Sequence, residues 1–348
     1  MNKTIVLTGG GSAGHVTPNI NLIPYINSFF DKVIYIGSEN GIERELTSAL
    51  PLEYYPIPTA KLKRSLALSN LLIPYKLYLG YREAKKILQN TKANVVFSKG
   101  GYVSVPVALA CGRLHIPLII HESDLSIGLA NKIAKRFAKH VFTTYRETAS
   151  NLTNGMFVGA PINKNQPNEQ TIKRVKNMYN IGIMPVCLVV GGSLGAKTLN
   201  EIVWKNLDSL TKNYHILHLT GKGKSNPNIK HSNYTQIEYT PYMNEILSFT
   251  DIAITRGGSN MIFELLNANV PMLIIPLEKG SRGDQIANAD YFTRKGYALT
   301  LREKNLDKFL DTFSSLTSRS KFMRFNNRHV FPKNALEKIA NTLIECGK

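Results

Sequence analysis

Acidic residues are scarce in this chain. Against 43 Lys and Arg there are only 24 Asp and Glu, a formal charge of +19 at pH 7. Such an excess argues for an anionic partner: nucleic acid, an acidic membrane surface or a phosphorylated substrate. Cysteine is scarcer still. Cys111, Cys187 and Cys346 are far apart and odd in number, and the first two sit in apolar runs. That pattern speaks against a disulfide framework and for reduced thiols in a cytoplasmic core. No apolar run reaches the length of a membrane span, and the start, MNKTIVLTGGG, has too short an apolar run for a signal peptide. The expected location is the cytoplasm or the membrane face. Several chemistries are also missing. There is no His/Cys cluster with metal-ligand spacing, no nucleophile elbow and no Ser-His-Asp signature.

What is present is strand, glycine and helix, twice over. Val186 to Val190 reads as a buried parallel strand, runs into Gly191-Gly192-Ser193-Leu194-Gly195-Ala196, and continues as a helix with apolar Leu199, Ile202 and Val203. The start repeats the plan with Ile5-Val6-Leu7, then Gly9-Gly10-Gly11-Ser12-Ala13-Gly14-His15, then a helix from about Pro18. Glycines let the backbone approach an anion, and a helix start offers unpaired N–H groups at its positive end. Neither loop has the Lys-Ser/Thr ending of an ATP-binding loop, and neither is followed by the acidic residue of a dinucleotide site. A tight turn that touches no ligand is the bland alternative for either loop alone.

At 348 residues the chain suits two domains. Thirteen apolar runs alternate with helical stretches, which predicts parallel sheets covered on both faces. A polar stretch between Gly159 and Met184 marks the linker. The expected division is 1–160, with a C-terminal helix at 334–348 packing back on it, and 161–333. Ligands bind at the carboxyl ends of such strands. The motif-like clusters lie there: Gly9 to His15, Gly100 to Pro106, His121 to Asp124, Gly191 to Ala196, Arg256 to Asn260 and Gly280 to Gln285.

Each cluster has two readings. His15 is either a base near neutral pH or a histidine that bonds a loop backbone. Glu122 is either a catalytic carboxylate or the holder of a neighbouring helix. Ser259 and Asn260 open a helix that carries Glu264. That is either a cap or a diphosphate site with Glu264 on the ribose. Asp284 and Gln285 offer groups suited to sugar hydroxyls. From Lys61 to Lys86, leucines and tyrosines interleave with Lys61, Lys63, Arg64, Lys76, Arg82, Lys85 and Lys86. This is either a core-facing helix with a solvated basic face or a patch that rests on anionic lipid.

Three loops, GGGSAGHVTP (9–18), GGYVSVP (100–106) and GGSLGA (191–196), resemble the glycine loops of the MurG family, the N-acetylglucosaminyltransferases that make lipid II for peptidoglycan. His121-Glu122-Ser123-Asp124, Leu129-Ala130-Asn131-Lys132 and Arg282-Gly283-Asp284-Gln285 resemble its Gram-positive form, and the likeness spans nearly the whole chain in order. The resemblance implies an α/β GT-B glycosyltransferase with two Rossmann-like domains facing across a cleft. It implies an inverting transfer of N-acetylglucosamine from UDP-N-acetylglucosamine to the 4-hydroxyl of lipid I, with no cofactor and no protein-bound metal. The implied partners are those two substrates, anionic inner-leaflet lipid and other cell-wall enzymes, at the cytoplasmic face of the membrane. The N-terminal domain would take the lipid acceptor and the C-terminal domain the donor.

Carried over by residue, Ser12, Ala13 and Gly14 match a donor-contacting loop, and Ser193 matches a serine on the diphosphate. Thr240 matches a position that reads uracil through its backbone. Ser259, Asn260 and Glu264 match the helix at the diphosphate and ribose, and Gln285 matches a glutamine on the sugar. Asp124 stands where other members carry Asn. Asn163 stands where many carry Arg, which leaves open whether Arg256 replaces that charge contact. Ala13 replaces a usual glycine, so the loop must avoid positive φ there or accept strain. Two rivals remain: a sugar-nucleotide epimerase on the same fold, and a nucleic-acid-binding protein suggested by charge alone. The second lacks a basic stripe with stacking aromatics, so no nucleic acid is expected.

Overall fold

The computed structural model describes residues 3–60, 72–163, 167–192, 195–278, 283–327, 332 and 334–348. The chain forms two compact units, Met1–Asn163 with Pro332–Lys348, and Lys164–Phe331. Each is built on one parallel sheet.

In the first unit the strands are β1 (Thr4–Thr8), β2 (Lys32–Ser38), β3 (Glu53–Ile57), β4 (Val95–Ser98), β5 (Leu118–Glu122), β6 (His140–Thr143) and β7 (Gly155–Phe157). Their order is β3-β2-β1-β4-β5-β6-β7. β1 lies between β2 and β4, with Leu7 opposite Tyr35 on one side and Phe97 on the other. The second unit has β8 (Val186–Val190), β9 (His215–Leu219), β10 (Tyr234–Ile237), β11 (Ile252–Thr255), β12 (Met272–Ile274) and β13 (Ala298–Thr300). Their order is β10-β9-β8-β11-β12-β13. Both sheets therefore reverse direction of winding once, between β1 and β4 and between β8 and β11. Helices start on opposite faces at such a point and leave a crevice at the strand ends.

The interior follows from the strand pattern. Every residue of β1, β4, β5, β8, β9 and β11 is buried, as continuous apolar strands in a two-sided parallel sheet must be. β5 runs through His121 and Glu122, so both belong to the strand rather than to the loop after it. The Phe309–Asn327 helix has no clear apolar stripe in sequence. Its buried Phe309, Phe313, Leu316 and Met323 fall on one face, but Ser and Thr crowd the segment and Leu310 and Phe322 lie exposed. The Ala335–Cys346 helix closes the chain against the first unit. Leu336, Ile339, Ala340 and Leu343 pack with Leu22, Ile26 and Phe30.

Candidate functional site

At the end of β1, the backbone of the first glycine loop is held by buried polar side chains. Tyr35 Oη donates to Gly9 O at 2.7 Å. Asn19 Nδ2, from the Thr17–Ile26 helix, donates to Thr8 O at 3.0 Å. Glu43, fully buried on the Ile42–Thr47 helix, accepts from Gly11 N at 3.1 Å and Ser38 N at 3.0 Å, and also from Ser38 Oγ. Ala13 to His15 form one 3-10 turn, preceded by extended Ser12. Ala13 is not among the positive-φ residues, so the missing glycine brings no strain. Ser12 Oγ and His15 Nδ1 are hydrogen-bonded at 3.0 Å. Burial, then the charge of Lys99, lower His15 to about 4, against the backbone of Gly10 and the charge of Glu43. The ring is neutral at pH 7.

The loop after β4 meets the first loop directly. Gly10 N donates to Gly100 O at 3.3 Å. Gly101 sits at φ +84°, and a Cβ there would stand 2.2 Å from Gly10 O, so only glycine fits. Beside it, at the end of β5, Glu122 accepts from Asp124 N at 3.0 Å, Gly128 N at 2.9 Å and Asn131 Nδ2 at 2.9 Å. These bonds tie down the entry to the Leu129–Ala134 helix. Three of its roughly four lone-pair sites are engaged in this way, which accords with the holding role of the two open to Glu122. His121 Nε2 donates to Gly159 O at 3.1 Å, and burial pushes its pKa well below the usual range.

The second unit uses the same devices. Gly195 has φ +65°, and a Cβ there would lie 2.0 Å from Thr220 O. Asn200, buried on the Lys197–Lys205 helix, donates to Thr220 O at 3.0 Å, as Asn19 does to Thr8. Ser193 lies outside the described residues, as do Gly280 to Arg282. After β11, Gly257 packs on Gln285: Gln285 Oε1 accepts from Gly257 N at 3.2 Å and Leu277 N at 2.9 Å. The same amide also carries two N–H donors. Buried Ser259 is the first residue of the Ser259–Asn267 helix, with Asn260 next to it. Glu264 is one turn on, and burial alone raises its carboxyl to about 7. Thr240 Oγ1 accepts from Tyr179 Oη at 2.9 Å and Tyr242 N at 3.0 Å, so its side chain braces a loop.

Arg256 is not a substitute for the charge missing at Asn163. It is buried, and its Nη1 donates to Ile275 O at 3.0 Å and Glu303 Oε1 at 2.7 Å. Its cation is already neutralised inside the second unit.

The structure thus gathers Ser12, Ala13, Gly14, His15, Glu122 and Asp124 at the strand ends of the first sheet. It gathers Ser259, Asn260, Glu264 and Gln285 at those of the second. Thr240 lies in the loop after β10, and Asn163 ends the first stretch of unit one. Sequence reasoning missed Asn19, Tyr35, Glu43 and Lys99, which hold the first loop. One signal was available: Lys99 follows the apolar run Val95-Val96-Phe97 and precedes two glycines, an odd position for a solvated lysine.

Residues 5–143 match the glycosyltransferase family 28 N-terminal domain, and residues 186–343 the glycosyltransferase family 28 C-terminal domain. A protein of Staphylococcus aureus (strain MRSA252) is 46% identical over 308 residues, 87% of this chain and 86% of that one. It is named UDP-N-acetylglucosamine--N-acetylmuramyl-(pentapeptide) pyrophosphoryl-undecaprenol N-acetylglucosamine transferase. Among solved structures, MurG of Acinetobacter baumannii is similar at TM-score 0.73 and 21% identity, over 99% of this chain and 100% of that one. A UDP-GlcNAc 2-epimerase from Neisseria meningitidis bound to UDP-GlcNAc is similar at TM-score 0.67 and 14% identity, over 99% and 100%. At such identities the two structures speak for the fold alone, a GT-B fold.

Proposed function

This chain belongs to the MurG family of glycosyltransferases, and on that premise we propose that it moves N-acetylglucosamine from UDP-N-acetylglucosamine to the muramoyl sugar of undecaprenyl-linked lipid I. The observation that carries this is the 46% identity over 87% of the chain to a relative named for that reaction. The epimerase alternative rests on fold alone, at 14% identity.

In the mechanism we infer, the acceptor 4-hydroxyl attacks the anomeric carbon of the donor. The new C–O bond forms on the face opposite the leaving group, the bond to the diphosphate breaks, and UDP leaves with the electron pair. The configuration inverts to a β-1,4 linkage. His15 takes the hydroxyl proton. In the tautomer that donates Nδ1–H to Ser12 Oγ, Nε2 keeps its lone pair for that task. The helix that starts at Ser259 offers its N–H groups to the departing diphosphate. Glu264 accepts from the ribose hydroxyls, the Thr240 backbone contacts the base, and Gln285 donates to the sugar. Ser12, Ala13, Gly14, Asp124 and Asn163 contribute to substrate binding, and Glu122 acts by holding the Asp124 loop. Unit one takes the acceptor and unit two the donor.

The acceptor's lipid also implies a membrane face. No helix among the described residues is long and apolar enough to cross a bilayer. The Ile73–Asn90 helix buries Gly80, Ala84, Ile87 and Leu88, so its core-facing role is real. At its start Leu72, Tyr75 and Tyr78 are exposed, near exposed Lys76, Arg82 and Lys86. Apolar area with basic side chains suits an anionic inner leaflet, at about 1 kcal/mol per basic residue. The part of this patch from 61 to 71 lies outside the described residues. Other cell-wall enzymes would be met at the same surface.

The test is transfer of labelled N-acetylglucosamine from its UDP donor to a short-chain lipid I analogue, with EDTA present. The expected product is the β-1,4-linked disaccharide. Formation of UDP-N-acetylmannosamine without acceptor, and no transfer with it, would turn the assignment to the epimerase.

A further inference from the structure

Lys99 is a buried lysine, 1% exposed, immediately after β4. An ammonium withdrawn from water must be met by acceptors and counter-charge. Its Nζ donates to Ser123 Oγ, and the carboxylates of Glu122 and Asp124 favour its charged form. Burial opposes them and is the larger effect, lowering the ammonium to about 8, so it remains largely charged at pH 7.

The backbone and Cβ of Lys99 lie against the start of the His15 loop. Lys99 N donates to Thr8 O at 2.9 Å. A Cβ built on Gly9 would stand 3.2 Å from Lys99 Cβ and 2.6 Å from the carbonyl oxygen of His15. Two charged groups act on His15 from different elements. Glu43 on the Ile42–Thr47 helix favours the protonated ring, and Lys99 at the end of β4 disfavours it. Tyr102, on the loop after β4, lies against Gly11. Glu122 and Asp124 act in turn on Lys99.

A diphosphate at the glycine loops adds negative charge beside this ring and raises its affinity for a proton. A protonated imidazole cannot accept the proton of an attacking hydroxyl. Substrate binding therefore works against the base unless something opposes it.

We propose that Lys99 is a positioning residue for this chemistry, a fixed buried cation that keeps His15 unprotonated while an anionic substrate occupies the adjoining loop. The inference rests on the reading of His15 as the base, and its test separates the two. The full chain, labelled with nitrogen-15 at histidine, is followed by ring NMR between about pH 5 and 8, with His15→Gln used to assign the signal. In the wild type the His15 ring stays neutral across this window. In Lys99→Met its midpoint rises by about one pH unit, so that the ring begins to protonate at the acid edge of the window, and Lys99→Arg restores the neutral ring. Glu43→Gln removes the opposite charge and leaves the ring neutral throughout. A loop that had merely loosened would admit water and raise the midpoint in both Lys99→Met and Glu43→Gln. That result, or an unmoved midpoint in Lys99→Met, overturns the inference. The acid limb of kcat/KM for transfer is then compared. If it moves up with the NMR midpoint, both readings stand. If the NMR midpoint moves and the acid limb does not, the effect of the Lys99 charge on the ring stands, but His15 is not the base and the positioning role falls with it.

Discussion

Glu264 carries opposing demands in one carboxylate. Burial raises it to about 7 from an ordinary value of 4.5. Between those values the folded protein holds the proton more tightly than the unfolded chain. Stability from this group is therefore present below about pH 4.5 and falls as pH rises to about 7. A charged Glu264 is, however, the better acceptor for ribose hydroxyls. Glu264→Gln is expected to raise the thermal midpoint at pH 8 by a few degrees, on the order of 1–2 kcal/mol, and to change little at pH 5. The same variant is expected to bind UDP about tenfold more weakly at pH 8. Paired thermal scans and UDP titrations at the two pH values check this, and equal stabilisation at both would refute the sign. At this scale the sequence was only partly readable. It located Glu264 on a helix after a glycine turn, but not its burial. It brought out Glu122 and Arg256 as charged groups near motifs, but not that Asn131 and two backbone N–H groups occupy the first and Glu303 the second. Hydrogen-bond partners distant in the chain leave no mark on local pattern.

Among the elements, the strands were the most readable, because burial on both faces demands continuous apolar runs, and runs such as VCLVV or VVFS admit few other readings. The Phe309–Asn327 helix was not readable. Its buried face is sparse, and Ser and Thr blur the helical period. The Ala335–Cys346 helix makes a prediction of its own. It follows the second unit in sequence, yet Leu343 packs fully buried in the first unit beside Leu22 and Ile26. Leu343→Ala is expected to cost about 2–4 kcal/mol. Hydrogen exchange should quicken in the β1, β2 and β4 strands and leave β8, β9 and β11 unchanged. Faster exchange in the second sheet instead would contradict this division of the chain.

For the whole molecule, charge matters more than any single contact. An excess of +19 gives a field that favours anionic surfaces and is screened by salt. The chain is expected to sediment with vesicles of anionic phosphatidylglycerol at low salt and to be released at about 0.5 M salt, where the Debye length falls to roughly 4 Å. Neutral phosphatidylcholine vesicles should retain little. Replacing Tyr75 and Tyr78 by Ser should weaken retention on anionic vesicles even at low salt, since both side chains are exposed and apolar. If the double variant bound as the wild type does, the start of the Ile73–Asn90 helix would not be the lipid contact.

The amino-acid pattern by itself determined the α/β class, the two glycine-led strand–helix starts and the family. Each of these is written in contiguous residues: apolar runs long enough to be buried strands, and glycines at the turns between strand and helix. Tertiary structure decided what the polar side chains do. Lys99, Glu43, Asn19 and Tyr35 come from separate strands, helices and loops, and meet only because β1 lies between β2 and β4 at the winding reversal. Once there they are out of water, and burial obliges each to find a partner. That enforced pairing, invisible along the chain, engages Glu122 and Arg256 with neighbouring loops and buries the Lys99 cation after β4.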